Sequence, residues 1–253
     1  SVSGVNTLFN ALTEHPGFAT LDFGELRMSV GGGMEVSSAT AQRWLEVTGC
    51  PIAEGYGLTE TTSGICCNRL DLDAFTGTLG LPMPGAEIRI LDPAGQQTPF
   101  GIPGEICVRG ATIMDGYWNQ PDATREVMTE DGFFRTGDLG SMDEDGFITF
   151  LGRQKDVIVV SGFMVYPREI EDVVKEMDGI TDCAAVGAPD HKTGESIWLF
   201  VVANDDQKNE IEQKCRLSLA AYKKPAQIVF LDSLPMIGPG KINRNALRSL
   251  AAQ

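Results

Sequence analysis

The chain has 253 residues, with 20 Lys and Arg against 35 Asp and Glu, so its formal net charge at pH 7 is −15. This length suits one large domain or two unequal ones and is long enough to bury a core. The acidic balance argues against a nucleic-acid-binding protein, because phosphate contacts need clustered Lys and Arg. A small anionic ligand is still compatible with it, since a few local cations and backbone N–H groups can hold one.

The composition is that of an ordinary soluble globular protein, with 42% hydrophobic and 22% charged residues. The six cysteines show no C-x-x-C pair, and only His15 and His191 accompany them, so we expect no zinc site. Reduced, buried thiols in a cytosolic setting are the simplest expectation. No apolar run reaches transmembrane length, and the N-terminus lacks a signal pattern and begins as if within a larger domain.

The first 60 residues predict alternating strands and helices. Apolar residues at helical spacing predict a helix over residues 5–12, and residues 26–30 predict a short buried strand that runs into three glycines. Ser37 or Ser38 is a candidate cap for a helix that stops at Gly49. Residues 51–53 then predict a second strand that leads into a loop at 54–60. This alternation indicates the edge of an α/β sheet.

Each predicted strand is followed by a glycine-rich turn, and ligands bind at the carboxyl edge of such sheets. Taken by themselves, the glycines at 31–33 favour a plain tight turn over a ligand site. The second loop supports a ligand site, because Tyr56 offers a flat face for a base, Thr59 a hydroxyl for phosphate and Glu60 a hard oxygen ligand for magnesium. A single Thr-Glu pair is, however, a weak signal.

The alternation of strands and helices ends before residue 76, and residues 76–151 predict a β-rich subdomain. Three alternating segments at 87–91, 105–109 and 147–151 are separated by glycine and proline turns. Three large side chains between them are interpreted as packing residues rather than as a cofactor site: Met114, Tyr117 and Trp118.

A small α+β domain is predicted after residue 153. Pro167 suits the first turn of a helix whose apolar stripe ends near Gly179, with Glu171 and Lys175 paired on its outer face. Further predicted elements are strands at 183–188, 197–203 and 227–231, a helix through 211–219 and a last helix from 243. The predicted domains are therefore residues 1–153, divided at 70 into an α/β part and a β-rich part, and residues 154–253.

Two further features contain chemically capable side chains. The polar segment at 152–155 lies between two apolar runs. It has more charged and polar side chains than a passive linker needs, so we interpret it as a joint between two folding units. Lys241 follows a Gly-Pro-Gly turn but does not complete a P-loop pattern, and spacing alone favours an exposed turn lysine. The C-terminal segment gathers five cations in an otherwise acidic chain. They either mark a local basic site or form a solvated basic face: Lys223, Lys224, Lys241, Arg244 and Arg248.

Several separated motifs form a set that runs through nearly the whole chain. They are SVGGGMEV (29–36), EGYGLTE (54–60), GLPMPG (80–85), PGEICVRG (103–110), GYWNQPDAT (116–124), DGFFRTGDLG (131–140), GRQKDVIVVSGFMVYPREIE (152–171) and LPMIGPGKINR (234–244). The set resembles the adenylate-forming superfamily of acyl-CoA synthetases, peptide-synthetase adenylation domains and luciferases. It most resembles the bacterial long- or medium-chain fatty-acid–CoA ligases.

The resemblance implies an α/β and α+β fold, in which the end of a large domain is followed by a small mobile α+β domain. It also implies a nucleotide site for ATP and AMP. Gly32, Gly33 and Tyr56 would line the adenine, Tyr56 by stacking, and Asp138 would accept both ribose hydroxyls with Arg153 beside it.

The resemblance assigns catalytic roles to three residues. Thr59 would contact phosphate, Glu60 would hold Mg²⁺, and Lys241 would bridge the substrate carboxylate and the α-phosphate. The role of Lys241 would be electrostatic rather than acid–base. Lys155 matches the hinge position, and Gly162 a turn that lines the tunnel for coenzyme A. The substrates implied are a fatty acid, ATP and coenzyme A.

The implied chemistry joins a carboxylate to AMP and then transfers the acyl group to the thiol of coenzyme A. The family's Ser/Thr/Gly-rich phosphate loop and most of the acyl pocket have no counterpart here, so we expect a fragment that cannot form acyl-adenylate alone. The resemblance also implies a cytoplasmic enzyme, with peripheral contact to the inner membrane and the oligomeric state left open.

Two alternatives to the fatty-acid–CoA ligase remain. One is an adenylating domain that loads a carrier protein, although the VSGF turn at 160–163 resembles those of coenzyme A users. The other is a non-catalytic nucleotide-binding module. For the parent protein, the presence of Glu60, Asp138, Arg153 and Lys241 argues against it.

Overall fold

The computed structural model describes residues 1–62, 64–203, 207–238 and 241–252. The chain divides into two compact units, Ser1–Phe150 and Leu151–Gln253, whereas the sequence placed the boundary between residues 153 and 154. Both units mix helices with sheets, which confirms the predicted fold class.

The first unit begins with a five-stranded sheet whose strands lie in chain order. Its strands are β1 (Val2–Gly4), β2 (Ser29–Gly31), β3 (Ile52–Gly57), β4 (Gly64–Cys67) and β5 (Leu81–Pro82). The first three are parallel, and β4 and β5 join antiparallel. The loop predicted at 54–60 is wrong for residues 54–57, because they continue β3, and residues 55–57 pair with β4, Tyr56 opposite Cys66. Strand β1 was not predicted from the sequence.

Two helices cover this sheet, α1 (Asn6–Glu14) and α2 (Ser38–Thr48). The predicted ends of α2 are confirmed: the Ser37 hydroxyl accepts the Thr40 N–H at 3.1 Å, and Gly49 closes the helix with a left-handed φ of 68°. The helices meet through Phe9 and Trp44, whose rings pack edge to face with centroids 4.8 Å apart. Burying a side chain such as Phe9 contributes roughly 1.5–3 kcal/mol.

A four-stranded antiparallel sheet follows, with its strands also in chain order. It consists of β6 (Ala86–Leu91), β7 (Gly104–Gly110), β8 (Phe134–Met142) and β9 (Ile148–Arg153), with helix α3 (Pro121–Val127) between β7 and β8. The three predicted strands are confirmed as β6, β7 and β9. The packing interpretation is wrong for Trp118, which is 88% exposed, and incomplete for Tyr117, which binds a carboxylate.

The second unit is a sheet with helices on both faces. Its strands are β10 (Ile158–Val160), β11 (Phe163–Val165), β12 (Asp182–Asp190), β13 (Gly194–Val202) and β14 (Gln227–Phe230), and its helices are α4 (Pro167–Lys175), α5 (Lys208–Ser218) and α6 (Arg244–Ala251). Alternate residues of β12 face opposite sides. Cys183 and Ala185 pack into the core shared by α4 and α5, whereas Ala184 and Val186 pack into the core with Leu247 of α6.

The predicted pairing of Glu171 with Lys175 on the outer face of α4 is wrong. Glu171 is 6% exposed because α4 packs against β12, where Glu171 Oε1 accepts the Ala185 N–H at 2.8 Å. Lys175 instead pairs with Asp182 at 3.3 Å.

The six cysteines are all free, and five of them are buried. In the part of the chain that the structure describes, no helix has the length and apolar content needed to span a membrane.

Candidate functional site

The glycine turn after β2 packs tightly on its neighbours in the first unit. A Cβ at Gly31 would come within 2.5 Å of Val36 and 3.0 Å of Ile52, and one at Gly32 would lie 3.2 Å from the Gly55 carbonyl oxygen. Gly33 has a φ of 73°, which favours glycine. The turn therefore lies beside β3 at the position next to Tyr56, and part of its backbone is exposed.

Tyr56 and Asp138 are brought together from positions 82 residues apart. The Tyr56 hydroxyl donates a 2.7 Å hydrogen bond to Asp138 Oδ2, and Asp138 is only 3% exposed. Burial raises the pKa of Tyr56 far above its ordinary value, and the neighbouring negative charge of Asp138 raises it further. Tyr56 therefore remains neutral and serves as a hydrogen-bond donor to a carboxylate.

Glu60 lies in a short 3₁₀ turn, Thr59–Thr61, directly after β3. Its Oε1 accepts a hydrogen bond from the Tyr117 hydroxyl at 3.1 Å, and its carbonyl accepts the Met114 N–H at 2.8 Å. Burial raises the pKa of Tyr117, as does its hydrogen bond to Glu60. Tyr117 was not predicted as a partner of Glu60, although it lies in the stretch GYWNQPDAT, one of those that carry the family resemblance. Thr59 is exposed at the start of the turn.

Glu60 is the candidate for magnesium. In the described part of the chain, no group of three His, Cys, Asp or Glu side chains is placed to hold a metal ion. Mg²⁺ at nucleotide sites is often held by one or two carboxylates together with phosphate oxygens and water. The single carboxylate of Glu60 therefore fits such an ion.

In the second unit, the predicted joint is a 3₁₀ turn, Gln154–Asp156, that follows Arg153 at the end of β9. Arg153 and Lys155 are exposed. Helix α6 holds this turn, because Arg248 Nη2 donates to Asp156 Oδ1 at 2.7 Å and to the Lys155 carbonyl at 3.3 Å.

Gly162 lies at the tip of the hairpin between β10 and β11. Ser161 and Gly162 both have left-handed φ values, 51° and 83°, as a tight two-residue hairpin turn requires. The face of the hairpin includes a ring stack, Phe163 on Tyr222, with centroids 4.8 Å apart. The turn and this stack are both accessible on the second unit.

Lys241 is exposed and precedes α6, from which it is separated by Ile242 and Asn243; its carbonyl accepts the Ile237 N–H at 2.8 Å. Pro239 and Gly240, which belong to the predicted lysine turn, lie outside the described residues. The basic-face interpretation is wrong for three of the five C-terminal cations. They bind carboxylates in the same unit, in the pairs Lys223–Glu169, Arg244–Glu171 and Arg248–Asp156.

Models of one enzyme family match both units of this chain. A family model described as AMP-binding enzyme matches residues 1–118, and one described as AMP-binding enzyme C-terminal domain matches residues 169–241. The chain is 46% identical over 253 residues to a long-chain-fatty-acid–CoA ligase from Escherichia coli O6:H1, covering 99% of this chain and 45% of the relative. The chain therefore spans less than half the length of this curated relative.

Solved structures with the same fold include ligand-bound enzymes. ATP-bound MatB from Rhodopseudomonas palustris matches with a TM-score of 0.90 and 34% identity, over 99% of this chain and 50% of that one. The anthranilate CoA ligase AuaEII, in complex with anthranoyl-AMP, matches with a TM-score of 0.86 and 29% identity over the same shares.

Proposed function

We propose that this chain, which belongs to the AMP-binding enzyme family, is part of a fatty-acid–CoA ligase that forms an acyl-adenylate and then an acyl-CoA. The observation that carries the proposal is the buried Asp138 carboxylate, held by Tyr56 beside a glycine turn. The similarity to ligases acting on long-chain fatty acids supports the substrate class. The intact protein would use ATP, a fatty acid and coenzyme A.

The first unit is proposed to hold the nucleoside. Tyr56 presents a ring to the adenine while its hydroxyl holds Asp138, and Gly32 and Gly33 allow the base to approach the backbone. Asp138 then accepts hydrogen bonds from the two ribose hydroxyls, because an ionised carboxylate offers acceptors to two donors. Arg153 is proposed as a further ribose contact.

The phosphates are proposed to lie near the turn that follows β3. Thr59 donates its hydroxyl to phosphate, and Glu60 supplies a carboxylate ligand for magnesium, with the Tyr117 hydroxyl fixing its orientation. Magnesium, when bound, neutralises phosphate charge. Lys241 is proposed to stabilise the charge that develops as a carboxylate oxygen attacks the α-phosphorus, with pyrophosphate as the leaving group.

The second half-reaction is proposed to depend on Lys155 and on the Ser161–Gly162 turn of the second unit. The coenzyme A thiol attacks the acyl carbon of the adenylate, so that a thioester forms and AMP leaves. Lys155 is proposed as the hinge residue between the two steps, since a hinge needs only a few residues whose backbone angles change. The Ser161–Gly162 turn, which carries no large side chain, is proposed to line the path of the pantetheine arm.

The test is to incubate the intact protein with ATP, magnesium, a long-chain fatty acid and coenzyme A, and to measure AMP and acyl-CoA by chromatography. We expect both products in equal amounts, and pyrophosphate exchange when coenzyme A is omitted. We expect no exchange from the 253-residue chain alone. An intact protein that forms neither adenylate nor thioester would contradict the proposal, and thioester formation only on a carrier protein would replace it with the carrier-loading alternative.

A further inference from the structure

The strand that carries Asp138 is interrupted by an irregular bulge at that residue. Gly104 pairs with Gly140 and Glu105 with Leu139, but Cys107 pairs with Arg135, so residues 136–138 of β8 lie opposite the single residue Ile106 of β7. Gly137 in this bulge has a φ of 71°. A bulge of this kind reorients the side chains at its edge, and here it determines where the Asp138 carboxylate lies.

The Glu105 side chain lies beneath this bulge, and Glu105 is only 6% exposed. Its Oε1 accepts the Gly137 N–H at 3.0 Å, and its Oε2 accepts the Arg135 Nε–H at 2.9 Å. One carboxylate oxygen therefore binds the middle of the bulge, and the other binds the residue that precedes the bulge. The hydrogen bond from Arg135 and the charge of Glu105 also raise the pKa of Arg135.

Thr136 completes the support for the bulge. Its hydroxyl donates to the Ile106 carbonyl at 2.7 Å and accepts the Asp138 N–H at 3.1 Å. On both sides of Gly137, hydrogen bonds with the Thr136 side chain therefore replace the regular backbone hydrogen bonds between β7 and β8. Thr136 connects the bulge to the backbone of β7, and Glu105 is the buried charge that binds the middle of it.

We propose that Glu105 is a positioning residue for the nucleotide's ribose: its carboxylate holds the Gly137 amide and the Arg135 guanidinium so that Asp138 points at the sugar hydroxyls. The inference rests on the proposed ribose role of Asp138. Glu105 does not contact the nucleotide and acts only through the bulge.

Glutamate is needed here because both groups that face it are hydrogen-bond donors. In a Glu105→Gln variant, the amide keeps one acceptor oxygen but turns an N–H₂ group towards the second donor. One of the two contacts is therefore lost, and the remaining one loses the help of the negative charge. Glu105→Asp keeps the charge but shortens the side chain, so it should have an intermediate effect.

The experiment compares the intact protein with three variants, Glu105→Gln, Asp138→Asn and Val108→Ala. Val108 is a fully buried residue of the same strand and serves as a control for simple loss of packing. The measurement is the ratio of kcat/KM for ATP to that for 2′-deoxy-ATP. We expect Glu105→Gln to lower this ratio about fivefold or more, as the weakening of one hydrogen bond to a charged group would do, and Val108→Ala to leave it unchanged.

A second readout does not depend on activity. In the 253-residue chain, amide hydrogen exchange should become selectively faster at Gly137 in Glu105→Gln but not in Val108→Ala. If Glu105→Gln does not fold, Glu105→Asp is measured in its place.

The outcomes separate the two proposals. If Asp138→Asn lowers the ATP preference and the Glu105 variant keeps it, the positioning role is wrong and the ribose role stands. If Asp138→Asn keeps the preference, the ribose role is wrong, and exchange at Gly137 decides whether Glu105 holds the bulge. Unchanged exchange at Gly137 would overturn that role.

Discussion

The Tyr56 hydroxyl and the Asp138 carboxylate form a hydrogen bond of 2.7 Å inside the first unit. Tyr56 lies on β3 and Asp138 on the bulge of β8, so this bond connects the two sheets of that unit. A carboxylate that is only 3% exposed needs such donors, because an unpaired buried charge is strongly unfavourable. The residue proposed to face the adenine therefore also holds the residue proposed to bind the ribose.

Removing this one hydroxyl should destabilise the chain. Tyr56→Phe leaves the ring in place but withdraws a donor from a buried carboxylate, which should cost about 1.5–3 kcal/mol of unfolding free energy. Urea denaturation of the 253-residue chain measures it. Tyr222→Phe is the matched control, since Tyr222 is 36% exposed and keeps its ring stack on Phe163. Equal losses in the two variants would show that the bond to Asp138 contributes nothing specific.

Lys241 should matter for the first half-reaction and not for folding, because it is exposed. In the intact protein we expect Lys241→Ala to lower pyrophosphate exchange by about 10²–10³, the range found when one preorganised electrostatic donor is removed. Its unfolding curve should not change. The control is Lys192→Ala, which removes another exposed lysine of the second unit. The proposed role is refuted if both variants exchange pyrophosphate at the normal rate.

Arg244 should be a major contributor to the stability of the second unit. Its guanidinium binds both oxygens of Glu171, at 2.8 and 3.1 Å, and donates to the Ala185 carbonyl at 2.7 Å. Arg244→Met leaves a buried carboxylate without its cation, which should cost about 3–5 kcal/mol in urea denaturation.

Arg248→Met provides the comparison for Arg244. The Arg248 side chain is more exposed, 32% against 21%, so its ion pair with Asp156 should contribute only about 1 kcal/mol or less. If Arg248→Met destabilises the chain as much as Arg244→Met does, the two ion pairs contribute equally and burial does not determine their contribution.

The buried thiols should make the protein less stable in alkali. Burial raises the pKa of Cys66 and of Cys107 from 9.0 to about 12. Above pH 9 the unfolded chain loses these protons while the folded chain keeps them, so the unfolding free energy falls as pH rises towards 12.

A single variant can isolate one of these thiols. Between pH 9 and pH 12, Cys107→Ala should make the fall of unfolding free energy with pH shallower by about 1.4 kcal/mol per pH unit. Val108→Ala removes packing without removing a thiol and should leave the slope unchanged. Denaturation curves recorded at several pH values between 8 and 11 measure both variants, and parallel slopes for wild type and Cys107→Ala would contradict the prediction.

Much of the local structure was predictable because it depends on neighbouring residues. Ser37 and Gly49 delimit α2 through a hydroxyl cap and a left-handed glycine, and Pro167 suits the first turn of α4. The alternation of apolar residues that predicted β6 and β7 is likewise local, although the structure buries both faces of β7 from Glu105 to Val108. The family-like stretches singled out Asp138 and Tyr56, though not the contact between them.

The tertiary structure decided which polar residues meet. Glu171 sits on what the sequence reads as the outer face of a helix, yet packing on β12 buries it against Arg244, which is 73 residues away. Glu105 reads as an ordinary polar position in an alternating strand, yet the bulge of β8 makes it a buried anchor for Gly137. Periodicity along one segment reports which face is apolar, whereas the partner of a buried charge depends on how distant segments register and pack. The sequence by itself therefore determined the family and most of the helices and strands, and the tertiary contacts decided how the proposed ribose carboxylate is held.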